Sequence, residues 1–227
     1  RCARRSKRFR FHGSHPRRID DASAGQTGRM QPQPHQPRST VAAVILAAGA
    51  GTRFAGDDHK LLTVVNGKTI LRHSIDAAVA AELDEVVVVS GAIDLANEVP
   101  DTVTLIHNEK WEDGQATSLQ AAVAYADSRG HAAVVVGLGD SPGISPETWR
   151  KVAEVPNDLA MARFDGELRP PTRLSAAMWA SLPVTGDEGA RALVRHRPDQ
   201  VRPVPIDKEF GDNPTDIDTL EDLRRWS

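Results

Sequence analysis

Residues 41–62, VAAVILAAGAGTRFAGDDHKLL, decide how the rest of the chain is read. The run 41–46 is apolar without a break, as a strand buried on both faces requires. It stops at Gly49. Gly51 follows, then Arg53 and Lys60. A buried strand thus feeds a loop with exposed backbone N–H groups and two cations, and polyphosphate is the natural ligand of such a loop. Glycine lets the backbone approach phosphate oxygens closely. The loop lacks the Lys-Ser/Thr ending of a P-loop and the spacing of the dinucleotide fingerprint. On the glycines alone, an ordinary strand-to-loop turn with solvated Arg53 and Lys60 explains it as well.

Working outward, short apolar runs alternate with helical patterns. Strands are expected at 41–46, 85–89, 103–107, 132–138, 159–164 and 201–206. Helices are expected at 69–81 (Leu71, Ile75, Ala78 and Val79 on one face), 94–98, 116–127 (Leu119, Ala122, Val123, Ala126), 145–155, 175–182, 189–195 and 219–226. Ser145 reads as an N-cap with Pro146 at the first helical position. Leu220, Leu223 and Trp226 should face the core. The alternation predicts a single α/β domain whose mostly parallel sheet has helices on both faces. Ligands gather beyond the carboxyl ends of such strands, which singles out the loops 47–60, 108–117 and 139–143.

The 227 residues carry a formal charge of −3, unevenly spread. Residues 1–40 hold ten Lys+Arg and two acids; residues 41–227 hold 18 basic against 29 acidic residues, a formal −11. An acidic body argues against a broad nucleic-acid surface, and no apolar run approaches the ~20 residues needed to cross a bilayer. The single cysteine, Cys2, excludes an internal disulfide and a cysteine zinc cluster; a reducing cytoplasm suits it. The first forty residues are basic, aperiodic and rich in Gly, Pro, Gln and Ser, so they are expected to be a disordered tail. An RNA- or membrane-binding tail, an Arg-rich transit peptide and a non-native or start-site extension with Met30 as the true start are the readings of it, the last preferred. The eight histidines show no close metal-ligand spacing.

Four further stretches carry chemistry. In Gly137-Leu138-Gly139-Asp140-Ser141-Pro142 a carboxylate follows a buried strand, where it suits Mg²⁺ or an Asx turn before the proline. In Thr215-Asp216-Ile217-Asp218-Thr219-Leu220-Glu221-Asp222, Asp218 or Thr219 reads as the cap of the last helix, and Glu221 and Asp222 suit its positive end. Asn108-x-x-Trp111-x-x-Gly114-x-x-x-Ser118 enters a helix whose N-terminus, at Gly114 and Gln115, is expected to lie open to an anion. Gly186-Asp187-Glu188-Gly189-Ala190-Arg191 offers N–H groups and a guanidinium, or a Gly-opened helix with a solvated arginine.

Taken together these stretches resemble the nucleotidyltransferases built on a Rossmann-like sheet of the nucleotide-diphospho-sugar transferase type, most closely the MobA-like branch that handles molybdenum cofactor. The signature there runs Leu-Ala-Ala/Gly-Gly-x-Gly/Ser-x-Arg-Phe/Met-Gly with a lysine a few residues on. The resemblance implies that Arg53, Lys60 and Asp140 are catalytic. It implies that Leu46, Ala47, Ala48, Gly49, Gly51, Arg53, Lys60, Asn108, Gly114 and Ser118 surround the nucleotide. It gives Asp140, Asp218 and Asp216 to Mg²⁺, and Asp187, Gly189 and Arg191 to the acceptor. Alanine at position 48, where guanylyl-transferring relatives tend to have glycine, favours CTP. The implied acceptor is molybdopterin, with a molybdoenzyme as client. Four departures stand out: Phe54-Ala55-Gly56 where Phe-Gly-Gly is commoner, Ser141 where glutamine is, Leu220 where proline is, and Pro170-Pro171 where a His-Pro pair is. The last keeps a sugar or other small phosphate acceptor in play, and a non-catalytic cofactor-maturation chaperone is the third reading.

Overall fold

The computed structural model describes residues 39–52, 54 and 59–226, the side chain of Leu220 excepted. Arg53, the tail through residue 38 and the Leu220 side chain lie outside the described residues. Strand β1 (Val41–Leu46) leads through the site loop to a short hairpin, β2 (Val64–Val65) and β3 (Lys68–Thr69). Helix α1 (Ile70–Ala80), strands β4 (Glu85–Ser90) and β5 (Thr104–His107), helix α2 (Gln115–Ser128) and strand β6 (Ala133–Leu138) follow. Then come α3 (Pro146–Ala153), β7 (Leu159–Phe164), β8 (Glu167–Ser175), α4 (Ala176–Trp179), α5 (Ala190–His196), β9 (Arg202–Pro205) and α6 (Leu220–Trp226).

Among the described residues the main sheet has seven strands in the order β5-β4-β1-β6-β8-β7-β9. All neighbours pair in parallel except β8, which is antiparallel to both β6 and β7. The expected mostly parallel, Rossmann-like sheet is therefore present. The period of two along each strand divides its side chains between two cores. Ala43, Ile45, Val88 and Val135 face α1 and α3, where Leu71, Ile75, Trp149 and Val152 are buried. Val44, Leu46, Val87 and Val134 face α2, α4 and α5, where Leu119, Ala122, Met178 and Leu193 are buried. Strand β1 lies between crossovers on opposite faces, so a crevice opens beyond its carboxyl end. No helix among the described residues is long and apolar enough to cross a membrane.

Ser145 caps α3 by accepting the Thr148 N–H at 3.2 Å. Leu223 and Trp226 of α6 pack on Val65, Ile70 and Ile217. Three expectations need correction. Residues 94–98 hold only a turn at 96–98, not a helix. Val79 is 40% exposed, because the buried stripe of α1 runs through Ile70, Leu71, Ser74, Ile75 and Ala78 instead. Strand β8 was not expected, because Pro170-Pro171 reads as a break in a ladder. Its pairing with β6 spans residues 172–175, and its register against β7 shifts between Met161 and Ala162, so that both prolines fall in the irregularity.

Candidate active site

The carboxyl ends of β1 and β6 place the central groups. Leu61, 3% exposed, pins the turn Lys60–Leu62 to the core, and Lys60 is carried inward with it. Past the end of β6, the Gly139 N–H donates to the Leu46 carbonyl (2.9 Å) and its carbonyl accepts from Ser74 Oγ (3.1 Å). Asp140 is thereby fixed just beyond the sheet edge. Asp218 arrives on the segment before α6, where the preceding Ile217 is buried and its N–H donates to the Asp140 carbonyl at 2.9 Å. The outcome is a convergence across 158 residues of chain. Lys60 Nζ donates to Asp140 Oδ2 at 2.5 Å and to Asp218 Oδ1 at 3.1 Å. Burial works against the ammonium charge, but the attraction of Asp140 and then Asp218 outweighs it and raises the Lys60 pKa.

Asp216 stands beside this group. Its Oδ1 accepts from Ser141 Oγ at 2.5 Å and its Oδ2 lies 4.0 Å from Arg191. Burial, helped by the charges of Asp140 and Asp218 and opposed by Ser141 and Arg191, pushes its pKa up. Carboxylates crowded this way favour a further cation. Asp140 and Asp218 already meet one ammonium, and hard oxygen donors from one or two side chains are what Mg²⁺ takes when phosphates complete its shell. Among the described residues no group of three His, Cys, Asp or Glu could hold a metal by itself. Two neighbouring carboxylates fit a metal ion whose shell phosphate oxygens complete.

Two cavities meet at these acids. The larger, of about 550 Å³, runs along residues 46–52 past Lys60 to Trp111, Gly114 and Ser118. The smaller, of about 240 Å³, is walled by Met161, Pro170, Thr172, Ala190 and Arg191. Asp140, Asp218, Asp187 and Gln115 line both. Leu46, Ala47, Ala48, Gly49 and Gly51 all face the larger cavity. Among the described residues nothing takes the N–H groups of Gly49, Ala50 or Gly51, whereas the Ala47 N–H is used by the Val89 carbonyl. Ala48 is held tightly: its carbonyl accepts from Ala92, and a Cβ on Gly91 would lie 2.8 Å from its methyl.

The other expected residues divide. Ser118 and Gly114 face the larger cavity. Asn108 does not reach it. Its amide donates to Thr117 Oγ1 (2.8 Å) and Ser118 Oγ (3.0 Å), and its Oδ1 accepts from the Lys110 N–H, so it fastens the loop 108–118 from behind. Asp187 and Arg191 line the smaller cavity; Gly189 packs behind Gln115. The N-terminus of α2 is not left open as expected. The Ala116 N–H donates to the Gly186 carbonyl and the Gly186 N–H to the Asp113 carbonyl, both at 2.9 Å. The loops expected to hold nucleotide and acceptor are thus bonded to each other, and Gly114 is required there, because a Cβ would meet the Gly186 backbone at 2.5 Å.

Two residues of the site were not anticipated in their roles. Gln115 lines both cavities, next to Gly114. His59 accepts the Leu61 N–H at Nδ1 (3.3 Å) and therefore donates from Nε2 to the Gly49 carbonyl (3.1 Å), tying the glycine loop to the lysine turn. Burial lowers its pKa, which keeps this neutral tautomer in place.

Comparison with known proteins agrees with this geometry. Residues 43–201 match the MobA-like NTP transferase domain. The bifunctional protein GlmU of Cereibacter sphaeroides is 35% identical over 123 residues, 52% of this chain, and this chain spans about a quarter (27%) of that protein's length. Rv0371c of Mycobacterium tuberculosis has a crystal structure that superposes with a TM-score of 0.71 at 28% identity, covering 82% of this chain and 96% of that one. The manganese complex of Rv0371c superposes at 0.68 with 27% identity, covering 82% and 97%. A nucleotidyl transferase from Methanothermobacter shares the fold at a TM-score of 0.69 and 24% identity, covering 82% and 95%. With the matched region running from β1 to the threshold of β9, and the two acids and the lysine gathered at its crevice, this chain belongs to the MobA-like NTP transferase domain family.

Proposed function

We propose that the protein is a Mg²⁺-dependent nucleotidyltransferase that moves CMP from CTP to the terminal phosphate of molybdopterin and releases pyrophosphate. The observation that carries this reading is the meeting of Lys60, Asp140 and Asp218 at the junction of two cavities. The nucleotide takes the larger cavity and the acceptor the smaller, so that the α-phosphorus lies where they join. An oxygen of the acceptor phosphate attacks that phosphorus, and the bond to the pyrophosphate oxygen breaks. A phosphate monoester has a second pKa of ~6, so it is ionised near neutrality and no general base is needed.

The difficulty is electrostatic, since two anions must be brought together. A divalent ion held by Asp140 and Asp218 would neutralise and orient the phosphates. Lys60 would turn its ammonium toward the polyphosphate, with Arg53 assisting, and offset the charge that builds on the leaving group. Asp216 completes the acidic group from the acceptor side, next to Arg191, which would draw the acceptor phosphate inward. The N–H groups of Gly49, Ala50 and Gly51 would cradle phosphate oxygens. The Ala48 methyl, held against Gly91, narrows the base end of the larger cavity and so supports a pyrimidine.

A second reading keeps the same chemistry and changes the acceptor to a sugar or polyol phosphate. Pro170 on the wall of the smaller cavity and the carboxylates around it, which accept hydroxyl donors, support it. One assay separates the readings. Pyrophosphate release is measured with each NTP and Mg²⁺ against molybdopterin and a panel of phosphorylated sugars and polyols. Turnover of CTP with molybdopterin alone is the expected result. Exclusive use of GTP would overturn the base assignment, turnover only with a sugar phosphate would replace the acceptor, and no pyrophosphate with any pair would leave a binding protein.

A further inference from the structure

The segment 212–218 carries Asp216 and Asp218 but belongs to no helix or paired strand, apart from one isolated bridge between Asn213 and Gly143. Its position depends on ties to the loop and helix that follow Asp140. At the near end the Ile217 N–H donates to the Asp140 carbonyl. In the middle the Asn213 N–H donates to the Gly143 carbonyl at 2.8 Å, so closely that a Cβ on Gly143 would lie 2.5 Å from the Asn213 carbonyl oxygen. At the far end one carboxylate makes three bonds. Asp212 Oδ1 accepts the Ser145 N–H at 2.5 Å, and Oδ2 accepts Ser145 Oγ at 3.2 Å and Thr148 Oγ1 at 2.8 Å. Thr148 is fully buried, and Asp212 sits at the N-terminus of α3, where a negative charge is favoured.

We propose that Asp212 is a positioning residue for the nucleotide-metal site: it clamps the 212–218 segment to the start of α3 and so fixes the separation between the Asp140 and Asp218 carboxylates. The inference rests on the assignment of those two acids to a metal-bound nucleotide. The capping of α3 does not require Asp212, because Ser145 Oγ already accepts the Thr148 N–H. What Asp212 adds is a rigid link from that cap to the strip of chain leading to Asp218. Releasing it lets the strip move, and two carboxylates that must close on one small ion tolerate little movement.

The test is binding of Mn²⁺ in the presence of CTP to the full chain, followed by electron paramagnetic resonance and calorimetry alongside thermal unfolding. The wild type should bind the pair. Asp212→Ala should raise its Kd by about 10- to 100-fold, the range seen when groups that orient metal ligands are removed, in protein that still unfolds cooperatively. Asp212→Asn keeps an oxygen for the Ser145 N–H and an amide for the two hydroxyls, and should recover most of the affinity. Should Asp212→Ala fail to fold, Thr148→Ala removes one of the three donors and should give a smaller loss in the same direction. A lowered Tm with unchanged Mn²⁺·CTP affinity in the folded variants would make Asp212 a structural cap only and overturn the clamp. Wild-type protein that binds no Mn²⁺·CTP would instead overturn the metal assignment beneath it.

Discussion

Both ends of the same sheet hold partly buried carboxylates, one at the amino end and several at the carboxyl end, and they are treated in opposite ways. At the amino ends of β4 and β5, Glu85 accepts from Tyr125 Oη (2.6 Å), His131 Nε2 (2.8 Å) and Thr104 Oγ1 (2.9 Å), with Arg129 3.7 Å away. Burial opposes its ionisation, but the bonds from Tyr125, His131 and Thr104 prevail and hold its pKa at about 2. At the carboxyl ends, Asp140, Asp187, Asp216, Asp218 and Glu112 line the joined cavities, while the cations among the described lining residues are Lys60 and Arg191. One acid with several donors is a finished structural contact. Several acids around few cations are a place prepared for more positive charge. The two ends therefore predict different consequences for mutation, the first in stability and the second in turnover.

The largest effect is expected at the acid-rich end. Lys60→Ala or Asp140→Ala should lower kcat by about 10²–10³ or more, the loss typical of removing a preorganised charge at a transition state, while the protein remains folded. Steady-state pyrophosphate release and a melting curve on the same samples check this. Normal turnover in either variant would remove that residue from the site. Arg191→Ala comes next. It should raise the KM for the acceptor about tenfold, as loss of one charge-assisted bond implies, with the KM for nucleotide little changed; the reverse split would place Arg191 on the nucleotide.

At the satisfied end the sign of the comparison inverts. Glu85→Gln should cost about 1–3 kcal/mol, because donors left without an ionised partner lose their bonds, and should leave kcat unchanged. Urea unfolding monitored beside turnover decides it, and a variant with full stability and damaged turnover would erase the distinction between the two ends. The smallest effect is in pH. The pKa of Glu85 is depressed on folding, from 4.5 to about 2, so its contribution is complete above 4.5 and is lost as pH falls toward 2. Burial also lowers the pKa of His59, so its contribution is complete above the ordinary histidine value and is lost as pH falls through the lowered one. Stability measured from pH 7 down to 3 should therefore fall, and Glu85→Gln should flatten the lower part of that curve.

Much of the first half of the molecule was legible because its strands are buried on both faces. Uninterrupted runs such as 41–46 and 133–138 admit few other readings, and the stripe Leu119, Ala122, Val123, Ala126 placed α2 on the sheet without ambiguity. Strand β8 was hidden by Pro170-Pro171, whose missing N–H groups are absorbed by a register shift that depends on β7. A signal was nevertheless present: Asp165-Gly166, with φ values of 46° and 95°, turns β7 into β8, and Asp-Gly between apolar runs is a hairpin cue. Asn66-Gly67 turns β2 into β3 in the same way.

Lys60, Asp140 and Asp218 are singled out in the sequence by motif resemblance, and only the fold shows that they touch. The resemblance puts Asn108 near the nucleotide, and the structure bonds it to Thr117, Ser118 and Lys110; an asparagine that fastens a loop and one that faces a ligand look alike in a motif. Asp212 gives no local signal, since its partners, Ser145 and Thr148, come from a different part of the chain, whereas His59 bonds within its own loop, to Gly49 and Leu61, and a histidine there has no motif to mark it.

The most direct measurement is a crystal structure with CTP and Mn²⁺, using anomalous scattering to locate the ion. Manganese is expected to be bound by the Asp140 and Asp218 carboxylates and by phosphate oxygens, with the Lys60 ammonium moved from the acids onto the polyphosphate. Manganese and CTP bound away from both carboxylates, with Lys60 still on Asp140, would contradict that expectation.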